Sequence, residues 1–222
     1  VLRNLHESDI TRVSDIEREA FPTLWPHTNF KRDLANKRIC YLVVSADNST
    51  QQATLPSEKV GIPLAKDPMP LKLIRTFRNR FSFHKTPLQG PTNDTPLGFV
   101  SVWILSEEAH ITAIAVKESW RGHGLGELLL AGAIETAMQR KCRVVTLEVR
   151  VSNVGAISLY EKYYFKRVGI RKGYYADNRE DAGIMTTEPI LSLSYQRKFS
   201  ELQQTYFKLR GEIDITLSLA SA

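Results

Sequence analysis

The segment from Ala109 to Tyr160 limits the folds open to this chain more than any other. Ala109-His110-Ile111-Thr112-Ala113-Ile114-Ala115-Val116 is an apolar, alternating run that predicts a strand. Five residues on comes Arg121-Gly122-His123-Gly124-Leu125-Gly126, then Leu128, Leu129, Ala133, Ile134, Ala137 and Met138 on one broad helical face. The order strand, glycine-rich turn, helix leaves the first helical N–H groups without intrahelical partners, at the positive end of the helix dipole. A phosphate suits that position, and glycine lets it approach the backbone. Glycines ahead of a helix also serve as plain caps, so the turn alone does not decide. No Gly-Lys-Ser/Thr follows, which excludes a Walker A loop, and the glycine spacing is not that of a dinucleotide fingerprint. Val144-Val145-Thr146-Leu147-Glu148-Val149 reads as a second buried strand with one carboxylate near its end. Asn153 is then placed to cap a short helix carrying Ala156, Ile157, Leu159 and Tyr160.

Composition narrows the class. The chain has 222 residues, 42% of them hydrophobic, enough for a core. Cys40 and Cys142 both sit in apolar contexts and read as buried thiols rather than a disulfide framework. No stretch is long and apolar enough to span a membrane and no signal-peptide pattern opens the chain, so a cytoplasmic protein with no membrane partner is expected. The net charge of +6 gathers into one clear cluster, Lys72, Arg75, Arg78, Arg80 and Lys85, and a second candidate, Arg167, Arg171 and Lys172. Solvated surface charge explains either alone; contact with a polyanionic cofactor, a nucleic acid or a ribosome is the alternative.

Along the chain, Ile10, Val13, Ile16 and Ala20 predict a first helix, capped by Ser8 or Asp9 and ended by Phe21-Pro22. A second short helix begins near Thr28 and includes Phe30 and Leu34, and the strand Cys40–Val44 follows. Residues 46–96 form a long insertion whose only sustained pattern is Leu71, Leu73, Ile74, Phe77, Arg78 and Phe81, a short basic amphipathic helix in an otherwise flexible segment. Strands are expected over 96–104, 166–172 and 182–187. Past Leu191, the residues Tyr195, Phe199, Leu202, Tyr206, Leu209 and Ile213 alternate steps of four and three. This predicts a tail helix, docked on the parent domain by default or self-associating.

Taken together, Arg121-x-x-Gly124-x-Gly126 and Asn153-x-x-Ala156-x-x-Leu159-Tyr160 resemble the acetyl-CoA signature of the GNAT N-acetyltransferases. The likeness extends to the RimI-type ribosomal-protein alanine N-acetyltransferases through Ile16-Glu17, Ala20-Phe21-Pro22, Leu147-Glu148-Val149-Arg150-x-Ser152-Asn153, Tyr174-Tyr175 and Glu180-Asp181-Ala182-x-Ile184-Met185. It covers roughly residues 1–45 and 97–190. It implies an α/β (α+β) GNAT fold, a mixed, mostly antiparallel sheet of six to seven strands flanked by about four helices, with a C-terminal helix added. The expected organisation is an acetyltransferase domain over 1–190, interrupted at 46–96, and a helical extension over 191–222.

The resemblance also implies a site. Acetyl-CoA would lie along Ile114, Ala115 and Val116, with its pyrophosphate on Arg121, Gly122, His123, Gly124, Leu125 and Gly126, and Asn153 and Ala156 beside it. Phe21, Trp25, Tyr174 and Tyr175 would receive the substrate; no metal is called for. Glu148 would be the general base and Tyr160 the general acid delivering a proton to the CoA sulfur. Read without the resemblance, Glu148 is better explained as an ion-pair partner, for instance of Arg150 or Arg121, and Tyr160 as core; for Phe21, Leu24 and Trp25 a core role for the helix pair and a place lining the substrate site weigh equally. An α-amine titrates near 8 and a lysine near 10.4, so one glutamate suits the former better. The expected activity is acetylation of a protein N-terminus, that of a ribosomal protein foremost. The alternatives are a GNAT acting on a lysine or small-molecule amine, and a non-catalytic acetyl-CoA-binding module.

Overall fold

A computed structural model describes residues 1–23, 26–46, 82–84 (backbone only), 94–211 and 213–218. Nine strands form one sheet: β1 (Leu2–Asn4), β2 (Ile39–Ala46), β3 (Ser82–His84), β4 (Thr95–Leu105), β5 (Glu108–Val116), β6 (Val144–Arg150), β7 (Phe165–Arg171), β8 (Ala182–Thr187) and β9 (Ile215–Ser218), in the order β3-β9-β1-β2-β4-β5-β6-β8-β7. The helices are α1 (Ile10–Ala20), α2 (Phe30–Leu34), α3 (Leu125–Gln139), α4 (Val154–Lys162) and α5 (Leu193–Arg210). Pairing is antiparallel except at β5/β6, β1/β9 and β3/β9.

The sheet exceeds the six to seven strands expected. β1 has three residues, too few to show a period, and β9 pairs with it in parallel, Leu2 opposite Ile215. That partnership is invisible to local pattern. The insertion's predicted helix and its basic cluster lie outside the described residues, as do Leu24 and Trp25. Asp9 does not cap α1 with its side chain; its carboxylate bonds the His6 N–H and the Arg3 guanidinium instead.

Strand alternation sends side chains to two apolar layers. Cys40, Leu42 and Val44 of β2, Val100 and Val102 of β4, and Val145, Leu147 and Val149 of β6 meet α3, α4 and α5. Tyr41, Val43, Phe99 and Ala115 meet Val13 and Ile16 of α1 and Phe30 of α2 on the other face. α3 is buried nearly all round, from Leu128 to Ala137, because the sheet lies beneath it and the tail helix alongside. Cys40 and Cys142 are free, buried thiols. Among the described residues no helix is long and apolar enough to cross a membrane.

α5 is where expectation and structure differ in detail. It docks on the first layer through Tyr195, Phe199, Gln203, Tyr206 and Phe207. Leu209, expected on the apolar stripe, is 59% exposed, and Ile213 lies beyond the helix end. The buried face is wider than a heptad seam and includes a polar residue, so the four-three rule misplaced its C-terminal edge.

Candidate active site

The site begins where two parallel strands part. β5 and β6 pair from Glu108 opposite Val144 to Ile111 opposite Leu147, and pairing ends there. β5 nevertheless continues along β4 as far as Val116 opposite Gly98, and β6 along β8 as far as Arg150 opposite Ala182. Residues 112–116 and 148–150 thus face a gap, each held on its outer side only. A register shift marks the fork: Val102 opposes Ile111 and Ser101 opposes Ala113, so Thr112 is an extra residue on β5. Such a bulge bends its strand and ends pairing locally. The Thr112 hydroxyl donates to Ser101 Oγ at 2.9 Å. Ile114, Ala115 and Val116 therefore carry backbone groups that no β6 residue satisfies.

Beyond Val116 the chain turns into α3. Gly122 (φ 78°) and Gly124 (φ 83°) both take the left-handed conformation that favours glycine, and Gly124 caps the helix. The first intrahelical bond runs from Leu128 N–H to Gly124 O, so the amides of 124–127 precede the ladder. A Cβ at Gly122 or Gly126 would meet nothing within 4 Å, so the turn has an open side. Arg121 Nε donates to Val116 O at 3.3 Å, and His123 Nδ1 lies 3.0 Å from Arg121 O, bracing the turn against the strand end. Asn153 Oδ1 accepts from the Ala156 N–H at 3.2 Å and caps α4 as expected.

Glu148 stands at the fork, on the face turned away from α3. Its side chain is 8% exposed and is held by two cationic or donor groups: His110 Nε2 at 2.6 Å and an Arg171 guanidinium nitrogen at 3.1 Å. The ion-pair partners anticipated from sequence were wrong. Arg150 goes to Asp177 (2.8 Å) and Glu180 (3.2 Å), and Arg121 to a backbone oxygen. His110 and Arg171 were missed as site residues. The signal for His110 was the shared parity of 110, 146 and 148 once β5 and β6 are in register, which needs the pairing to be known. Arg171 had been grouped with Lys172 as surface charge; both are spent on carboxylates, Arg171 on Glu148 and Lys172 on Asp181 at 2.7 Å.

The loop between β7 and β8 brings Tyr175 within electrostatic reach of this carboxylate. Tyr174 and Tyr175 meet edge to face with ring centroids 5.2 Å apart. The Arg150 guanidinium carbon lies 3.9 Å from the Tyr175 ring centroid, and Arg171 stands 5.6 Å from that of Tyr174. Glu180 ties the loop to the end of β6 by accepting from the Ser152 N–H at 2.9 Å; the Ser152 hydroxyl, that N–H and then Arg150 hold its carboxyl down at about 2. Burial pushes the Tyr175 phenol up to about 12, opposed by Arg150. Tyr160 approaches from α4, half-buried, its ring 5.8 Å from Phe165. Burial, reinforced by Tyr175, pushes its phenol up to about 12, so it carries its proton at neutral pH. Tyr175 thus adjoins both Glu148 and Tyr160 electrostatically. Phe21 is partly buried and packs against the second apolar layer.

The Acetyltransferase (GNAT) family matches residues 61–165. A Bacillus subtilis protein, named as a candidate [ribosomal protein bS18]-alanine N-acetyltransferase, is 31% identical over 185 residues, covering 83% of this chain and 92% of its own. An N-alpha-acetyltransferase of Saccharolobus solfataricus is 30% identical over 83% of this chain and 90% of its own. This chain belongs to the GNAT acetyltransferase family. The GNAT fold is also that of the ribosomal-protein-S18-alanine N-acetyltransferase of Escherichia coli, whose crystal structure superposes with a TM-score of 0.56 at 24% identity, over 86% of this chain and 93% of that one. As a GNAT enzyme the chain is an acetyltransferase, and the GNAT family draws its acetyl group from acetyl-CoA.

Proposed function

We propose that this GNAT enzyme acetylates the N-terminal α-amine of a protein, a ribosomal protein being the acceptor class that the name of the Bacillus relative supports. The observation that carries the reading is the Glu148 carboxylate, buried between His110 and Arg171 at the point where β5 and β6 separate. The residues present fit the donor: an open strand edge for an extended amide-bearing arm, and an open glycine turn of free amides for a pyrophosphate. Acetyl-CoA supplies an acyl group activated as a thioester. The chain's own residues do the rest.

Ile114, Ala115 and Val116 offer strand hydrogen bonds to the arm, and Gly122 to Gly126, with Arg121 and His123, line the phosphate turn. Asn153 and Ala156 form the α4 cap on the far side of the gap. Glu148 takes a proton from the incoming ammonium, directly or through one water, and His110 orients the carboxylate. Tyr160 presents its O–H to the departing sulfur. A phenol near 12 is a weaker acid than an ordinary thiol near 8.5, so it acts as a persistent hydrogen-bond donor to the developing thiolate. As the C–N bond forms and the C–S bond breaks, the nitrogen gives up a second proton, which balances the one taken up by the departing sulfur; the first, held by Glu148, is released to solvent, so one proton leaves per amide formed. Tyr174 and Tyr175, steadied by Arg171 and Arg150, form the wall that receives the first residues of the substrate.

The test is release of CoA from acetyl-CoA with short peptides beginning Ala, Ser or Met, each paired with an α-blocked, lysine-containing twin. Turnover is expected on free α-amines only, and Glu148→Gln is expected to lower kcat by about 10²–10⁴-fold while leaving CoA affinity intact. Turnover on the blocked lysine peptides would overturn the acceptor class, and an unimpaired Glu148→Gln would overturn the base.

A further inference from the structure

The tail helix ends against the glycine turn from which α3 starts. The Tyr206 hydroxyl donates to Gly124 O at 3.3 Å. Around the place where a Gly124 Cβ would stand, the nearest atoms are Arg210 Nε at 3.0 Å, Arg210 Cζ at 3.4 Å and Tyr206 Cε2 at 3.4 Å. The guanidinium therefore lies against the α-carbon of the residue that caps α3, while the Gly122 and Gly126 sides of the same turn stay open. Arg210 is exposed, and among the described residues it forms no ion pair, unlike Arg150, Arg171 and Lys162. The acid of the first turn of α3, Glu127, is already engaged by Lys162 Nζ at 2.6 Å and the Tyr163 hydroxyl at 2.9 Å. A cation is thus held beside four helix-start amides with no neighbouring carboxylate assigned to it.

We propose that Arg210 is a phosphate ligand for the donor: α5 brings a guanidinium to the glycine turn, so that the pyrophosphate of acetyl-CoA is bound by the α3 amides and by Arg210 together. The inference rests on the reading of acetyl-CoA as donor. Guanidinium suits the role because its planar fork matches two phosphate oxygens at once. Its position is set before the ligand arrives, by Tyr195, Phe199, Tyr206 and Phe207 in the core layer, which limits the ordering cost of binding. This also gives the docked helix a task that the helix pair and sheet do not require of it.

Calorimetric titration of the full chain with CoA and with 3′-dephospho-CoA separates the outcomes. Arg210→Ala is expected to weaken CoA about tenfold, as loss of one partly exposed charge-assisted contact should. The same factor is expected with 3′-dephospho-CoA, Arg210→Lys recovers part of the loss, and Arg197→Ala, a control on the exposed side of α5, binds as wild type. Matching thermal midpoints without ligand show that the variants fold. If Arg210→Ala binds CoA as tightly as wild type, the proposal fails and the functional reading stands. If the factor vanishes with 3′-dephospho-CoA, the guanidinium serves the 3′-phosphate and the pyrophosphate assignment is overturned. If the wild type does not bind CoA, the functional reading fails and the proposal falls with it.

Discussion

Arg150 holds three things in place at once: the Asp177 and Glu180 carboxylates and the face of Tyr175. Replacing it with Ala should leave CoA binding unchanged and raise the peptide KM about 3- to 30-fold, the range expected for a cation–π contact and its supporting pairs. Steady-state kinetics with acetyl-CoA saturating would read this. Glu180 gives the loop an acid sensitivity with a definite sign. Its folded carboxyl lies at about 2, below the usual 4.5, so its contribution is complete above 4.5 and is lost as pH falls toward 2. Amide protection across 172–181, measured against the intrinsic exchange rate at each pH, should fall in that window before that of the β2–β4 core does. Tyr160 has the opposite sign. Raised from 10 to about 12, it retains its proton in the folded state while the unfolded chain would lose it, so its share of stability declines as pH climbs from 10 through 12.

At the level of elements, Gly124 joins α3 to α5. A side chain there meets a left-handed φ of 83° and the Arg210 guanidinium at 3.0 Å. Gly124→Ala should cost about 1–2 kcal/mol from the backbone alone and lower the thermal midpoint by about 2–8 °C; calorimetry without ligand would measure it. Among the described residues, six of the strands and the five helices were legible in the sequence, because runs such as Val144–Val149 and the α3 face carry their period within one element. The glycine turn and the Asn153 cap were legible too, since each sits at an element boundary that local chemistry marks, whereas Glu148 was singled out only through the resemblance. The fork was legible only through the resemblance, which implies that the strands ending at Val116 and Val149 splay apart; no local pattern shows where their pairing stops, which the Thr112 bulge sets. His110 and Arg171 were hidden for the same reason, as each reaches Glu148 across a strand register. On α5, spacing found Tyr195, Phe199 and Tyr206 but not Phe207, and could not tell that the Tyr206 hydroxyl tip would reach Gly124 O.

For the molecule as a whole, Arg3 fastens β1 to the turn before α1 and to the start of β4. Nearly sealed from solvent, it pairs with Asp9 at 2.7 Å and Asp94 at 3.0 Å. Arg3→Ala strands buried carboxylates, and urea unfolding should register a loss of about 3–5 kcal/mol. β1 is also the strand that β9 joins in parallel, residue 2 beside residue 215, so the sheet closes only when distant parts of the chain meet. That arrangement sets an order of events during synthesis. A nascent chain that has emerged only as far as β8 already holds His110, Glu148 and Tyr160, yet its glycine turn lacks the contacts of Tyr206 and Arg210. The two tail elements come last, and with them the arginine and the tyrosine that crowd the turn. Translation thereby delivers His110, Glu148 and Tyr160 first and the wall beside the glycine turn afterwards, so a product cut short before residue 192 would keep the former without the latter.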